Sequence, residues 1–194
     1  MSYILPGTLD ESNYPLFADI KKQFGFIPNF FRAQTTRPDL LEAQVHLVNA
    51  LLINEGALTR KQKEYVFLVC SAANLSTYCV TAHCEMVRML GIEGPEPEQV
   101  AIDYTVLSLP IALKALLNFA AKLNSEPTKI GKADVDALRT YGYSDEQIHE
   151  TVLMVGLARF ANCVAFGLGT VPDFDNSRVQ FPVNEAISTA SPVL

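Results

Sequence analysis

Apolar residues recur every three or four positions along most of this chain, and that spacing predicts helices rather than strands. The clearest case is residues 37–53, where Pro38 stands in the first turn of the expected helix. The helical positions that follow are Leu40, Leu41, Gln44, Val45, Leu47 and Val48. The same pattern predicts further helices over residues 59–75, 109–123, 132–142 and 144–169.

Polar residues mark the start of two of these helices. Thr59 is a good N-cap, and Gln62 stands three positions later, as a capping box requires. Ser144 is placed in the same way ahead of the last helix. The segment from Thr59 to Val69 echoes the one from Ser144 to Val155 apart from one inserted residue, which allows an ancient helical duplication without requiring it.

No linker rich in glycine, serine or proline divides the chain. We therefore predict an all-α helical bundle that forms one domain over residues 1–170. Residues 1–35 are expected to be an N-terminal extension packed on that domain. Residues 171–194 have no apolar period, and we expect an irregular tail that packs over another surface or subunit.

Composition narrows the classes of partner. The 194-residue chain is 49% hydrophobic and carries a net charge of -6 with no cluster of basic residues, which argues against nucleic acid and anionic membranes. No apolar run reaches the roughly 18 to 20 residues of a transmembrane helix. The four cysteines, with no signal sequence ahead of them, indicate reduced thiols in the cytoplasm. Burial of the apolar excess between subunits predicts a homo-oligomer.

The candidate chemistry lies in residues 75–87, LSTYCVTAHCEMV. Cys79 and His83 are four positions apart, and Ser76 precedes Cys79 by three, so all three share one face of a helix. Cys84 lies about 140° from Cys79 around that helix and faces elsewhere.

The position of the helix start determines what Cys79 can do. If Ser76 is the N-cap, Cys79 is in the first turn, where the helix dipole favours a thiolate and His83 can accept the proton. A break at residues 74–77 also folds the preceding helix back and brings Glu64 to the same place. In one unbroken helix, Glu64 would lie roughly 22 Å from Cys79 at about 1.5 Å per residue.

The spacing Glu64-x11-Ser76-x2-Cys79-x3-His83 resembles the E-x11-C-x2-C-x3-H pattern of AhpD-like alkylhydroperoxidases, within the carboxymuconolactone decarboxylase-like family. The flanking text GFIPNFFRAQTTRPDLLEA, LTRKQKEYVFLVCSAAN, HCEMVRMLG and NCVAFGLG is also similar, so the resemblance covers roughly residues 20–170 and is closest to the peroxidase-related branch. It implies the AhpD-like fold, trimers or hexamers, a peroxidatic Cys79, and a proton relay through His83 and Glu64.

Ser76 departs from this pattern, because it stands where the family has its first cysteine. A serine hydroxyl can hydrogen-bond a thiolate but cannot form the resolving disulfide. Three alternatives follow. An external thiol could resolve a Cys79 sulfenic acid, or Cys70 or Cys84 could replace the missing resolving cysteine. In the third alternative, the site retains only acid–base chemistry.

Other residues are assigned to structure. Cys70, Cys84 and Cys163 are expected in the core, and Asn162 is expected to be structural. The cluster Phe24, Phe26, Phe30 and Phe31 is expected to be core, with the wall of an apolar pocket as the alternative. A zinc site on Cys79, His83 and Cys84 is disfavoured because Cys84 diverges, and nothing near His46 or His149 suggests ligands.

The sequence thus predicts a peroxidase-type oxidoreductase that reduces a hydroperoxide, or another small apolar substrate, at Cys79 with an external thiol as reductant. No cofactor and no metal are expected, nor is a nucleic acid or membrane partner. Two alternatives remain. One is a lyase, decarboxylase or isomerase that uses Glu64 and His83 as an acid–base pair. The other is a non-catalytic helical binding module.

Overall fold

The computed structural model describes residues 2–5, 7, 14–175 and 177–179, and its regular elements are helices throughout these residues. The prediction of an all-α bundle is confirmed. The α-helices are α1 (Pro15–Phe24), α2 (Asn29–Arg32), α3 (Pro38–Val48), α4 (Arg60–Ala73), α5 (Thr77–Met89), α6 (Pro97–Asp103), α7 (Ile111–Ser125), α8 (Lys132–Thr140) and α9 (Asp145–Leu168). A π-helical turn covers Asn49–Ile53, and 3-10 turns cover Tyr104–Val106 and Pro127–Lys129.

Helix α4 is the centre of the bundle and packs against α5, α6, α7 and α9. Residues 63–72 of this helix are all buried, which explains why its sequence is apolar on every side except near the start. The predicted capping box is confirmed: Thr59 N–H donates to Gln62 Oε1 over 2.8 Å, and Gln62 N–H donates to Thr59 Oγ1 over 3.3 Å. The cap fixes where α4 begins and therefore where Glu64 lies.

The helix predicted over residues 37–53 changes character at its end. The α-helix stops at Val48 and the chain continues as the π-helical turn Asn49–Ile53. Asn54 N–H donates to Asn49 O over 2.8 Å, and this i→i−5 bond closes the turn. Such turns occur often at functional sites, and here Val48 and Leu52 line the cavity described below.

A buried ion pair fixes the loop between this turn and α4. Lys63 Nζ lies 2.8 Å from Glu150 Oε1 on α9, and the Lys63 side chain is 1% exposed. Lys63 Nζ also donates to Asn54 O over 2.9 Å, and Glu150 Oε2 accepts from Leu58 N–H over 2.7 Å. Both charged groups are thus paired and hydrogen-bonded, as burial requires.

Helix α9 contains 24 residues, begins after the predicted N-cap Ser144, which forms a capping box with Gln147, and ends at Gly169. Gly169 has φ 59°, in the left-handed region, as is common after a helix C-terminus. Both predicted N-caps therefore form capping boxes, while the duplication stays a prediction.

By length and composition, α9 could cross a bilayer, and so could the bent pair 97–106 and 111–125 if it were counted as one span. The expectation that no apolar run reaches transmembrane length is therefore not met by α9. The most apolar 18-residue window of this helix is 44% buried inside the bundle. Because α9 packs on α4 and α7, we describe it as a core helix with one exposed side.

The chain ends pack on the bundle where they are described. Helix α1 buries Phe17 and Ile20, and Tyr3 N–H donates to Leu168 O over 2.9 Å. The tail begins at Val171, and the greater part of the region predicted to be irregular, residues 180–194, lies outside the described residues. Residues 1, 6 and 8–13 of the predicted extension also lie outside them.

Candidate functional site

A tight turn between α4 and α5 builds the site. Leu75 has φ 56°, a left-handed conformation that is rare for leucine. Its N–H donates to Ala72 O, and Ser76 N–H donates to Ser71 O, each over 2.9 Å, which is the Schellman arrangement that ends a helix. Helix α5 starts at the next residue, so the predicted break at residues 74–77 is present and Cys79 is the third residue of α5.

The turn brings Glu64 of α4 against His83 of α5, as the sequence predicts. His83 Nδ1–H donates to Glu64 Oε2 over 2.6 Å, and Glu64 is completely buried. Since a carboxylate only accepts, the proton of a neutral imidazole is held on Nδ1, which leaves Nε2 as an acceptor. The ring of Phe67 stacks on the imidazole at 3.7 Å between centroids and fixes its plane.

Arg60 is the second partner of Glu64, and it lies outside the motif on which the sequence prediction rests. Arg60 Nε–H donates to Glu64 Oε1 over 2.7 Å. Burial alone would raise the pKa of Glu64, but His83 and Arg60 together outweigh it and hold that pKa below its ordinary value. Glu64 is thus a carboxylate that orients both neighbours.

Cys79 is 3% exposed, and Ser76 and Asn162 are the polar side chains that act on the pKa of its thiol. Burial raises the pKa of the Cys79 thiol, while hydrogen bonding to Ser76 and Asn162 acts in the opposite direction. The expected first-turn position is correct, but the expected lowering of the thiol pKa by the helix N-terminus is outweighed by desolvation. Ser76 is the N-cap residue by position, yet its hydroxyl makes no capping hydrogen bond and is available to the sulfur.

Asn162 is expected from the sequence to be structural, and the structure gives it a place beside Cys79 as well. It is 2% exposed, and its amide is fixed on both sides. Asn74 Nδ2–H donates to Asn162 Oδ1 over 2.8 Å, and Asn162 Nδ2–H donates to Ser71 Oγ over 3.0 Å. The sequence signal that could have identified it is a lone amide on the buried face of an otherwise apolar helix.

The beginning of the tail closes one side of the site. Tyr78 O–H donates to Asp173 Oδ2 over 2.6 Å and accepts from Phe30 N–H over 3.0 Å. The rings of Phe26 and Phe174 meet edge to face with centroids 5.6 Å apart. The tail is expected to pack over another surface or subunit, and its first described residues pack beside the site of their own chain.

A cavity of about 100 Å³ lies beside Cys79 and His83. Its wall is largely apolar and includes six phenylalanines: Phe24, Phe26, Phe30, Phe31, Phe67 and Phe174. The aromatic cluster predicted as core therefore also walls a pocket, which was the alternative interpretation. A mostly apolar wall with a few convergent polar groups is typical of small-molecule sites.

Comparison with known proteins agrees with this geometry. Residues 38–122 match the model of the Carboxymuconolactone decarboxylase family. The family segment contains all four predicted site residues, Glu64, Ser76, Cys79 and His83. No curated protein matches the chain.

Solved structures show the AhpD-like fold across most of the chain. An alkylhydroperoxidase AhpD core, an uncharacterized peroxidase-related protein from Ralstonia eutropha JMP134, has TM-score 0.81 and 29% identity, over 89% of this chain and 92% of that chain. A peroxidase-related protein from Silicibacter sp. TM1040 has TM-score 0.79 and 27% identity, over 86% and 87%. The debrominase Bmp8 in complex with 2,3,4-tribromopyrrole, at 20% identity and TM-score 0.75 over 89% and 94%, shows the fold alone.

The other three cysteines do not line the cavity. Burial raises the pKa of Cys70 and that of Cys84 to about 12 each. Both are core residues as predicted, and neither has the exposure or thiolate character of a resolving cysteine. The prediction for Cys163 is wrong: it is exposed, because it lies on the outer side of α9 while its neighbour Asn162 points inward.

The remaining histidines lie apart from the site. His46 and His149 are both exposed. Within the described part of the chain, no three histidine, cysteine, aspartate or glutamate side chains gather as a metal site requires.

Proposed function

We propose that this protein is a peroxidase-type oxidoreductase with Cys79 as the nucleophile. The observation that supports this most directly is the shared cavity: Cys79 and the Glu64-oriented His83 both line it. Similarity to peroxidase-related proteins at 27% and 29% identity supports the same class.

The reaction has two stages. The Cys79 thiolate attacks the outer oxygen of a hydroperoxide, the O–O bond breaks, and the alkoxide leaves as an alcohol after taking a proton, so Cys79 becomes a sulfenic acid. An external thiol then displaces water to give a mixed disulfide, and a second thiol molecule releases Cys79. In this second stage the Cys79 sulfur is reduced by two electrons and the external thiol is oxidised to its disulfide.

Each site residue has a role in these steps. His83 Nε2, the acceptor left by the bond from Nδ1 to Glu64, takes the Cys79 proton and returns it to the leaving alkoxide. Ser76 and Asn162 stabilise the anionic sulfur. Because Ser76 cannot form a disulfide, the external thiol is required in every cycle.

A kinetic experiment tests this proposal. Wild type should consume cumene hydroperoxide in the presence of dithiothreitol, Cys79→Ser should lose turnover, and Cys163→Ser, a matched change on the exposed side of α9, should retain it. His83→Ala should lower the rate by about 100-fold or more, since positioned acid–base groups contribute 10²–10⁴-fold. Equal turnover in wild type and Cys79→Ser would overturn the proposal.

One observation favours a second candidate, an acid–base lyase or isomerase. The pKa of Cys79 is raised, whereas Glu64 and His83 form a complete base that does not need the thiol. Such an enzyme would convert a lactone or a β-keto acid in Cys79→Ser and lose that activity in His83→Ala. A peroxidase, in contrast, would lose its activity in Cys79→Ser.

The proposal includes self-association and a reducing compartment such as the cytoplasm. The outer side of α9 leaves Val152, Leu153, Phe160 and Phe166 at least 40% exposed, a large apolar surface for an isolated chain. A second copy would cover this surface. Light scattering coupled to gel filtration should show a trimer or hexamer, and a monomer at micromolar concentration would contradict this part.

A further inference from the structure

The cavity wall contains a guanidinium that the proposed peroxidase steps do not use. Arg60 is the first residue of α4, and its side chain reaches the cavity while remaining 25% exposed. Its Nε–H is taken by Glu64 Oε1 over 2.7 Å. Its two Nη groups have no hydrogen-bond partner among residues 2–5, 7, 14–175 and 177–179. Because Arg60 lines the largely apolar cavity, these donors are available to a ligand that carries an acceptor.

The bond to Glu64 sets the orientation of this group. Since Glu64 is buried and fixed by His83, the guanidinium plane is held at Nε and only the outer Nη edge is left for a ligand. Two parallel N–H donors on a planar fork match the two oxygens of a carboxylate. Lysine in the same place would present a point charge without this directionality.

The other charged group of the wall does not compete for Arg60. The oxygens of Asp173 accept from Asn29 N–H over 3.0 Å and from Tyr78 O–H over 2.6 Å. The Glu64 carboxylate likewise has both oxygens engaged. Among the described residues that line the cavity, Arg60 is therefore the one with a permanent positive charge available to a ligand.

The cavity also limits the size of the ligand. Its volume is about 100 Å³, and one water position takes ~10–15 Å³ of such space. The cavity therefore accommodates roughly seven to ten non-hydrogen atoms, the size of a single ring with a short side chain. Phe67 and Phe30 supply aromatic surface for such a ring.

We propose that the substrate is a small apolar or aromatic molecule bearing one carboxylate, with the carboxylate bound to the Nη groups of Arg60 and the reactive group directed toward Cys79. This inference deepens the proposed peroxidase function, on which it rests, and the substrate class becomes a carboxylate-bearing hydroperoxide. The binding step itself requires no redox chemistry.

Calorimetry with two matched probes tests the inference. Phenylacetate and phenylacetamide have the same shape and differ in charge. Phenylacetate should bind the wild-type protein at least about 10-fold more tightly, since a bidentate pair of charge-assisted hydrogen bonds is stronger than neutral ones. Arg60→Gln should lower the affinity for phenylacetate by about 10-fold to 100-fold and change the affinity for phenylacetamide by less than about two-fold. The inference would be overturned by equal affinities for the two probes, or by an Arg60→Gln variant that binds phenylacetate as tightly as wild type. It would also be overturned if phenylacetate did not bind at millimolar concentration.

Three variants complete the experiment. Lys61→Gln removes the adjacent cation, which donates to Glu93 O outside the cavity, and should leave phenylacetate binding unchanged. Cys79→Ala should bind phenylacetate while losing peroxide reduction, so failure of the function and failure of the inference give different results. Arg60→Lys keeps the positive charge but lacks the two parallel donors. Its affinity for phenylacetate should lie between those of wild type and Arg60→Gln. The ratio of the wild-type affinities for phenylacetate and phenylacetamide decides the question even if both Arg60 variants fail to fold.

Discussion

Replacement of Asn162 by alanine tests how the buried Cys79 can become a thiolate. The Asn162 amide is fixed by Asn74 at its oxygen, over 2.8 Å, and by Ser71 at its nitrogen, over 3.0 Å. One N–H of the amide is not used by these two bonds, and Asn162 opposes the raised pKa that burial gives Cys79. Asn162→Ala removes the donor and leaves the burial, so the pKa of Cys79 should rise further.

The size of the effect follows from the charge on sulfur. A hydrogen bond to a charged group contributes about 1.5–3 kcal/mol, and one pKa unit corresponds to about 1.4 kcal/mol. The pKa of Cys79 should therefore rise by about one to two units. The thiolate fraction at neutral pH, and with it the alkylation rate, should fall by about 10-fold to 100-fold.

The assay is the pH dependence of Cys79 alkylation by iodoacetamide, followed by peptide mass spectrometry. Asn124→Ala is the matched control, because Asn124 is similarly buried and donates to Asn74 over 3.0 Å without touching the sulfur. It should leave the Cys79 profile unchanged. If Asn162→Ala has no effect, or if both variants shift the profile equally, the interaction with the sulfur does not stabilise the thiolate.

The remaining predictions concern the missing dithiol and the buried ion pair. Ser76→Cys should let peroxide form a disulfide between position 76 and Cys79, because a C-x-x-C pair at the start of a helix is a redox-active dithiol; free thiols that persist after peroxide would contradict it. Lys63→Met leaves Glu150 charged, buried and unpaired, so chemical denaturation should show a loss of about 3–5 kcal/mol. Lys132→Met, on an exposed pair, should cost no more than about 1 kcal/mol, and similar losses in both variants would refute the buried-pair argument.

The parts of the fold that follow from local rules are predictable. Both capping boxes and the break before α5 depend on a few adjacent residues, and the structure has each of them. The π-helical turn after Val48 is not predicted, because no local residue type signals it. The turn packs against α4 and α9, and α9 is distant from it in sequence.

The sequence predicts the site residues that lie on α4 and α5, but not those that come from other parts of the chain. The spacing of Glu64, Cys79 and His83 predicts their meeting, but Asn162 and Asp173 reach the site from the far end of the chain. The thiol pKa is expected to fall because helix position is visible in a sequence, whereas the depth of burial of Cys79 is not. Desolvation, a property of the packed structure, determines the sign.

The most direct test of the proposed chemistry is to identify the oxidised residue after a single turnover. Reduced protein is treated with one equivalent of cumene hydroperoxide in the presence of dimedone, and the adduct is located by peptide mass spectrometry. We expect one dimedone adduct on Cys79 in wild type and in Cys163→Ser, and none in Cys79→Ser. Peroxide consumption with no adduct on Cys79, or with the adduct on Cys70 or Cys84, would contradict the assignment of Cys79 as the nucleophile.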